Sequence, residues 1–227
     1  MAFNLAIDGP AGAGKSTIAK QLAKKLDVLY VDTGAMYRAM ALYFLRLGLA
    51  PEDGEGIAAA CEKIQISLSH EADGQHVYLN GEDVNGVIRT AEVSAMASQT
   101  SVYPAVRKKL VQRQQEIAAD MDLIMDGRDI GTVVLPQATV KVYLTADAGV
   151  RAKRRYDELV AAAKTPEEAA SYDYEKIRQE IIERDERDMN REISPLRQAE
   201  DAICVDTSDM NIDQVVETIL ALCKQHR

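Results

Sequence analysis

The sequence predicts an α/β domain built on a parallel sheet flanked by helices, and three observations carry that prediction. Short apolar runs of strand length, led by Phe3 to Ile7, alternate with segments of helical period such as Ile18, Leu22, Ala23 and Leu26. Between the first of each lies Gly9-Pro10-Ala11-Gly12-Ala13-Gly14-Lys15-Ser16-Thr17, which fits G-x-x-x-x-G-K-[ST]. The 227 residues suffice for one core with a small insertion, and no repeat, low-complexity tract or linker divides them.

The glycine-rich loop is the first element to justify. Glycines let a backbone fold round an anion with its N–H groups inward, and the helix that follows, residues 15 to 26, presents the positive end of its dipole. Lys15 adds a point charge for the β- and γ-phosphates of a nucleoside triphosphate, and the Ser16 hydroxyl is placed to ligate Mg²⁺. A second strand, Val28 to Val31, leads into Asp32-Thr33-Gly34-Ala35-Met36-Tyr37-Arg38, which opens a helix running to about Leu47 with Thr33 as its N-cap. Helices that start beyond a strand's C-terminal end point their amides into the crevice where open parallel sheets bind ligands. Thr33 and Arg38 are therefore candidate contacts for a second anion.

Residues 63 to 89 break the rhythm. Ile64, Ile66 and Leu68 alternate with polar residues, Ala72-Asp73-Gly74 makes a turn, and Val77, Leu79 and Val84 resume the alternation. The pattern predicts an antiparallel hairpin insertion with its own modest core, acting as a substrate-side flap outside the central sheet. Helical pattern returns over Thr90 to Ser101, and again from Pro104, a fitting N1 residue, to about Asp120. Leu123-Ile124-Met125 is a strand ending in Asp126, a Walker-B-like acid, and Gly127-Arg128-Asp129-Ile130-Gly131-Thr132 follows with charges that a ligand would justify.

Val140 to Thr145 is the next strand. The helix after it carries Arg151, Arg154 and Arg155 in its first turns, against its own dipole, a cost that a phosphate removes. Thr165-Pro166-Glu167-Glu168 is a capped helix start. Tyr172 to about Met189 is a highly charged helix with Arg178, Arg184, Arg187 and, beyond its end, Arg191; its few apolar residues are centred on Ile177, Ile181 and Ile182, which suits a lid that moves. Ile203 to Asp206 forms the last strand, and Asn211 to about Lys224 an amphipathic closing helix.

Composition narrows the function. The net charge of −9 argues against a broad nucleic-acid-binding surface, so anion sites must be local. Eight of the fifteen arginines fall between Arg151 and Arg197, and arginine's fork suits bidentate phosphate binding. Cys61, Cys204 and Cys223 are dispersed and match ordinary thiols of a reducing compartment, with no metal spacing among them or the three histidines. No run of 18 apolar residues and no secretory leader is present, which predicts a soluble, cytoplasmic protein.

The motifs together resemble the bacterial cytidylate kinases along essentially the whole chain. The matching stretches are Ile7 to Lys15, Asp32 to Arg38, Gly81 to Thr90, Asp126 to Val134, and Glu183-Arg184-Asp185 through Asn190-Arg191. The resemblance implies the P-loop nucleoside monophosphate kinase fold: a five-stranded parallel sheet with an antiparallel monophosphate-binding insertion at about 63–89 and an arginine-rich lid at about 151–197. The core would comprise 1–62, 90–150 and 198–227 of a single kinase domain. It also implies transfer of the γ-phosphate from ATP, with Mg²⁺, to CMP or dCMP in pyrimidine nucleotide metabolism. A monomer acting on small molecules, with neither nucleic acid nor membrane as partner, is expected.

Carried over by position, Gly9 to Thr17 hold the ATP phosphates, and Arg151, Arg154 and Arg155 face the donor. Arg38 and Arg128 grip the acceptor's phosphate, and Thr33, Ser98, Arg107 and Asp129 surround the pyrimidine. Arg184, Asp188 and Arg191 reach the acceptor's sugar or phosphate from the lid side, with Lys15, Arg128, Arg155 and Arg184 as the catalytic cations. Mg²⁺ falls to Ser16, directly or through water, with Asp126 or Asp8 through water. A carboxylate at 129 accepts from cytosine's N4 amino group and opposes uracil's O4, so discrimination of cytosine over uracil is expected. Two other readings remain. A nucleotide switch would commonly carry a guanine-selecting Asn-Lys-x-Asp, which does not occur. Another small-molecule kinase, acting on shikimate or dephospho-coenzyme A, would leave the hairpin and the Gly127 to Val134 motif unexplained.

Overall fold

The computed structural model describes residues 2–71 and 74–226. At its centre lie five parallel strands, β1 (Asn4–Asp8), β2 (Leu29–Asp32), β6 (Leu123–Gly127), β7 (Val140–Thr145) and β8 (Ile203–Asp206), in the order β2-β6-β1-β7-β8. Leu5 pairs with Ile124 on one side and Val140 on the other. Parallel strands need helical crossovers, which cover both faces, so Leu5, Ala6 and Ile7 are all inaccessible to solvent. Leu5 and Ile7 pack under α1 (Lys15–Leu26) and α9 (Ile212–His226), against Ile18, Leu22, Val216 and Ile219. Ala6 turns to the opposite layer with Val31 and Met125, under α2 (Thr33–Arg46), α3 (Gly54–Lys63), α4 (Ala91–Thr100) and α5 (Pro104–Ala118).

Helix α3 has no counterpart in the sequence reading. Gly54 and Gly56 weaken its first turn, and the cap that rescues it, Asp53 Oδ1 accepting from the Gly56 N–H at 2.9 Å, is a single residue.

The insertion forms a separate antiparallel sheet of β3 (Ile66–Glu71), β4 (Gly74–Leu79) and β5 (Glu82–Asp83), with β3 and β4 in register from Ile66 opposite Leu79 to Glu71 opposite Gly74. Ala72 and Asp73 of the expected turn lie outside the described residues. The expectation of an independent core fails: Ile64, Ile66, Val77, Leu79, Val84 and Ile88 join the same apolar cluster as α2 and the central sheet. So small a sheet has too little apolar surface to stand alone. Polar ties reinforce the union, since Gln75 Oε1 accepts from the Asp32 N–H at 2.9 Å and a His70 ring nitrogen meets the Tyr30 carbonyl at 2.9 Å.

A third, smaller apolar cluster joins α6 (Ala148–Ala162) to α8 (Tyr174–Asn190), with the short α7 (Pro166–Ala170) between them in the chain. Ala152, Ile177 and Ile181 form it, with Tyr156, Leu159, Tyr172 and Tyr174 around them. Asp147, Thr165 and Asp173 cap the three helices, and the Asp147 carboxylate offsets the arginines of α6's first turns. No helix among the described residues is long and apolar enough to cross a membrane.

Candidate active site

The phosphate-binding loop leaves the end of β1 through Gly9, where a Cβ would stand 1.9 Å from the Leu144 carbonyl oxygen of β7, so only glycine fits. Gly12 and Gly14 adopt left-handed φ values of 75° and 87°. Gly14 is also the N-cap of α1 and offers no side-chain acceptor, which leaves the first-turn amides and the positive helix end to a ligand. Lys15 is buried, and its Nζ donates to the carbonyls of Gly9 at 2.8 Å and Pro10 at 2.7 Å. Burial, then the charge of Arg128, pulls its ammonium well below the usual lysine range, a shift that an anion beside it reverses.

The two acids left open as metal partners have different surroundings. Asp126 lines the cleft: its Oδ2 accepts from Ser16 Oγ at 2.9 Å and its Oδ1 from Tyr30 Oη at 2.8 Å. Burial, then the charge of Asp32, raises it to about 6. Asp8 instead gives both oxygens to backbone, accepting from the Ile130 and Gly131 N–H groups at 2.7 Å each. Those amides open a π-helical turn, Ile130–Val134, that sequence pattern did not reveal. Asp8, raised to about 6 chiefly by burial, thereby anchors the segment that carries Arg128 and Asp129.

Asp32 organises the opposite wall. Its Oδ1 caps α2 through the Ala35 N–H at 2.9 Å, and its Oδ2 receives Arg38 at 3.2 Å and Arg89 at 3.1 Å. The cap is therefore Asp32 and not Thr33, whose hydroxyl, in the first helical residue, donates to the Asp126 carbonyl at 2.7 Å. Arg128 Nε reaches Asp188 Oδ2 at 2.9 Å. Asp129 pairs closely with Arg107 and lies 3.8 Å from Arg191, while the Arg107 guanidinium sits 5.9 Å over the Tyr37 ring. Burial, followed by repulsion from Arg128, lowers Arg184 to about 10.

Five buried polar atoms on this wall have no hydrogen-bond partner among the described residues: Arg38 Nε, Ser98 Oγ, Arg107 Nε, Arg184 Nε and Arg191 Nη2. Buried polar groups in folded proteins are normally satisfied, and the five residues that carry these atoms, four of them arginines, all line one cleft.

The phosphate loop and this wall are two sides of one cleft of about 1200 Å³ at the C-terminal ends of the strands, where open α/β sheets bind ligands. Its far end is walled by Arg154, Asp157, Met210, Ile212 and Val215, with Arg154 donating to the Thr207 carbonyl at 2.6 Å. Of these only Arg154 was expected; the segment after β8 carries no motif, and only its position beyond a strand end could have singled it out. Arg89 and Asp32 likewise emerge from the structure as cleft residues. Two expected residues lie elsewhere. Arg155 is exposed, off the cleft wall, and pairs with Glu158 at 3.3 Å. Arg151 is buried beneath the loop, bound to Asp185 at 2.6 Å. Gly9 and Pro10 stand behind the loop as acceptors for Lys15, and Ala11 to Thr17 line the cleft. Among the described residues no three of His, Cys, Asp and Glu gather as a metal cage.

The family model described as cytidylate kinase matches residues 5–225. The cytidylate kinase of Carboxydothermus hydrogenoformans is 49% identical over 220 residues, 97% of this chain and 96% of its own. That of Shouchella clausii is 47% identical over 224 residues, covering 99% and 97%. Among solved structures, an uncharacterized protein from Eubacterium ventriosum aligns over 98% of both chains with a TM-score of 0.55 at 11% identity, a likeness of fold alone.

Proposed function

The chain belongs to the cytidylate kinase family and is a CMP kinase, and from that premise we propose how its cleft transfers the γ-phosphate of ATP to CMP or dCMP. The observation that carries the site assignment is that four arginines and a serine, each with a buried side-chain donor lacking a hydrogen-bond partner among the described residues, share one cleft with the glycine-rich loop. Phosphoryl transfer passes through a loose transition state, so it demands alignment and charge neutralisation more than a strong base.

On this reading the loop amides and the α1 N-terminus hold the donor's phosphates, and Lys15 exchanges the Gly9 and Pro10 carbonyls for phosphate oxygens. Arg38, Arg128 and Arg184, with Arg89 added by its place beside Asp32, hold the acceptor's phosphate in line. Asp188 keeps Arg128 oriented. Ser98, Arg107, Asp129 and Arg191 surround the pyrimidine and sugar. Mg²⁺, when bound, neutralises charge on the donor's phosphates, and the Ser16 hydroxyl and Asp126 carboxylate, 2.9 Å apart, fit it as oxygen donors. A magnesium ion held by one or two protein oxygens commonly completes its shell with phosphate and water, so the site needs no all-protein cage. Residues 63–89 form the acceptor-side insertion and residues 151–197 the lid; support for the latter is its separate apolar cluster. We read the protein as a cytoplasmic monomer acting on free nucleotides, and the net charge of −9 supports the absence of a nucleic-acid partner.

A coupled ADP-release assay with Mg-ATP and a panel of acceptors tests the reading. Turnover is expected with CMP and dCMP and is weaker with UMP. A protein that binds ATP yet turns over no pyrimidine monophosphate overturns it.

A further inference from the structure

Helix α8 reaches the acceptor side of the cleft with one face and the phosphate loop with another. Arg184, Asp188 and Arg191, spaced i, i+4 and i+7, line the acceptor side. Asp185 lies about 100° round the helix from Arg184 and ends the stripe of Ile177 and Ile181 that packs against α6. It does not line the cleft. Its Oδ2 accepts from Arg151 Nη1 at 2.6 Å, and its Oδ1 accepts from the backbone N–H of Ala11 at 3.4 Å. The same Arg151 Nη1 donates to the Ala11 carbonyl at 2.9 Å, while Arg151 Nε is fixed on the Ala146 carbonyl at 2.9 Å.

One buried ion pair thus grips both backbone polar groups of Ala11, inside the phosphate loop, and one member of the pair rides on the helix that faces the acceptor. Gly12 makes this approach possible: the Cβ position it leaves empty is 3.3 Å from the Arg151 Cβ. The α6–α8 contact has an apolar cluster of its own beside this pair, and a buried pair is a poor choice for stability alone.

We propose that the Arg151–Asp185 pair is a latch that couples the two nucleotide sites, with Asp185 as a positioning residue. An acceptor held by Arg184 and Arg191 fixes α8 against the core, which keeps Asp185 and Arg151 on Ala11 and sets the loop for the donor. A donor on the loop favours the same placement of α8. Because coupling between binding sites is reciprocal, each nucleotide strengthens the other by one and the same factor. The inference rests on the assignment of the acceptor site given above.

Calorimetric titration tests it: the affinity for CMP is measured with and without a non-hydrolysable ATP analogue, and the affinity for the analogue with and without CMP. The natural protein is expected to show mutual strengthening of about fivefold or more, within the range of known couplings. In Asp185→Asn, which keeps the side chain's size and one acceptor but loses the charge, the factor should fall to within about twofold of unity while CMP alone binds within about twofold of the natural protein. Asp185→Ala should do the same, and thermal unfolding identifies a variant that is folded. Natural-like coupling in either folded variant overturns the latch, as does an absence of coupling in the natural protein. Loss of both single affinities with coupling intact assigns the pair a purely structural role and also overturns it. Failure of the natural protein to bind CMP at all removes the acceptor site first, and is thereby distinguished from failure of the latch.

Discussion

Asp129→Asn is the sharpest test of the proposal that Asp129 reads the pyrimidine. One of its oxygens is committed to Arg107 and the other lies 3.8 Å from Arg191, too far for a hydrogen bond, so the second oxygen remains to accept from the base. The introduced amide keeps the volume and turns its carbonyl to Arg107, whose side chain is only 5% exposed and would be costly to orphan. Its NH₂ then faces the base. For CMP, a carboxylate acceptor opposite N4 is replaced by a donor, a loss of about 1.5 to 3 kcal/mol for a hydrogen bond to a charged group. At about 1.4 kcal/mol per decade, kcat/KM for CMP falls by roughly 10- to 100-fold. For UMP the change runs the other way, because O4 gains a donor. The ratio of kcat/KM for CMP over UMP, measured by ADP release, should therefore fall by at least the loss for CMP. A folded variant with an unchanged ratio would show that cytosine is distinguished by other groups.

Lys15→Ala should lower kcat by a factor of order 10³ or more while circular dichroism stays natural, since the hydrogen bonds of its ammonium among the described residues go to the loop carbonyls of Gly9 and Pro10. Arg184→Met should lower kcat/KM for CMP by order 10² and at the same time raise the thermal midpoint by a few degrees, because it removes a buried cation that burial and Arg128 disfavour; a lowered midpoint would mean that Arg184 serves the fold. Asp8→Asn satisfies one of two backbone N–H groups and should cost about 1 to 3 kcal/mol in urea unfolding. It should also change the pH profile. Folded Asp8 keeps its proton up to about pH 6 while an unfolded aspartate loses it near 3.8, so this group's contribution to stability is present below 3.8 and declines as pH rises through 6. The amide does not titrate, and the decline between those values should be shallower in the variant.

The parts of this fold legible in sequence are those fixed by local chemistry. The phosphate loop, the buried strands and the amphipathic α9 each carry a pattern that admits one conformation, and the hairpin announced itself by alternation. What escaped depends on partners distant in the chain. Asp32 and Thr33 are both competent caps, and the choice falls to Asp32 because Thr33 is drawn to the Asp126 carbonyl 93 residues away. Arg151, Arg154 and Arg155 share a run of charge, yet helical rotation sends one beneath the loop, one to the cleft wall and one to solvent. Asp8 looked as apt for a metal as Asp126 until the π-helical turn, itself without sequence signal, claimed both its oxygens. The candidate acceptor wall was legible as a set of residues through the family resemblance. Its defining property, donors buried without partners, exists only once the chain is folded.

The union of the small antiparallel sheet with the principal apolar cluster limits what protein engineering, or evolution, can do with this region. Excising residues 63–89, or grafting them onto a shorter relative as a cassette, would strip cover from Met36, Met40 and Phe44 of α2 while leaving Val77 and Leu79 with nothing to bury against. The pieces cannot be traded separately. Any lineage that reshapes this segment must therefore do so by point changes on a common interior, with the solubility of the whole molecule at stake in each step.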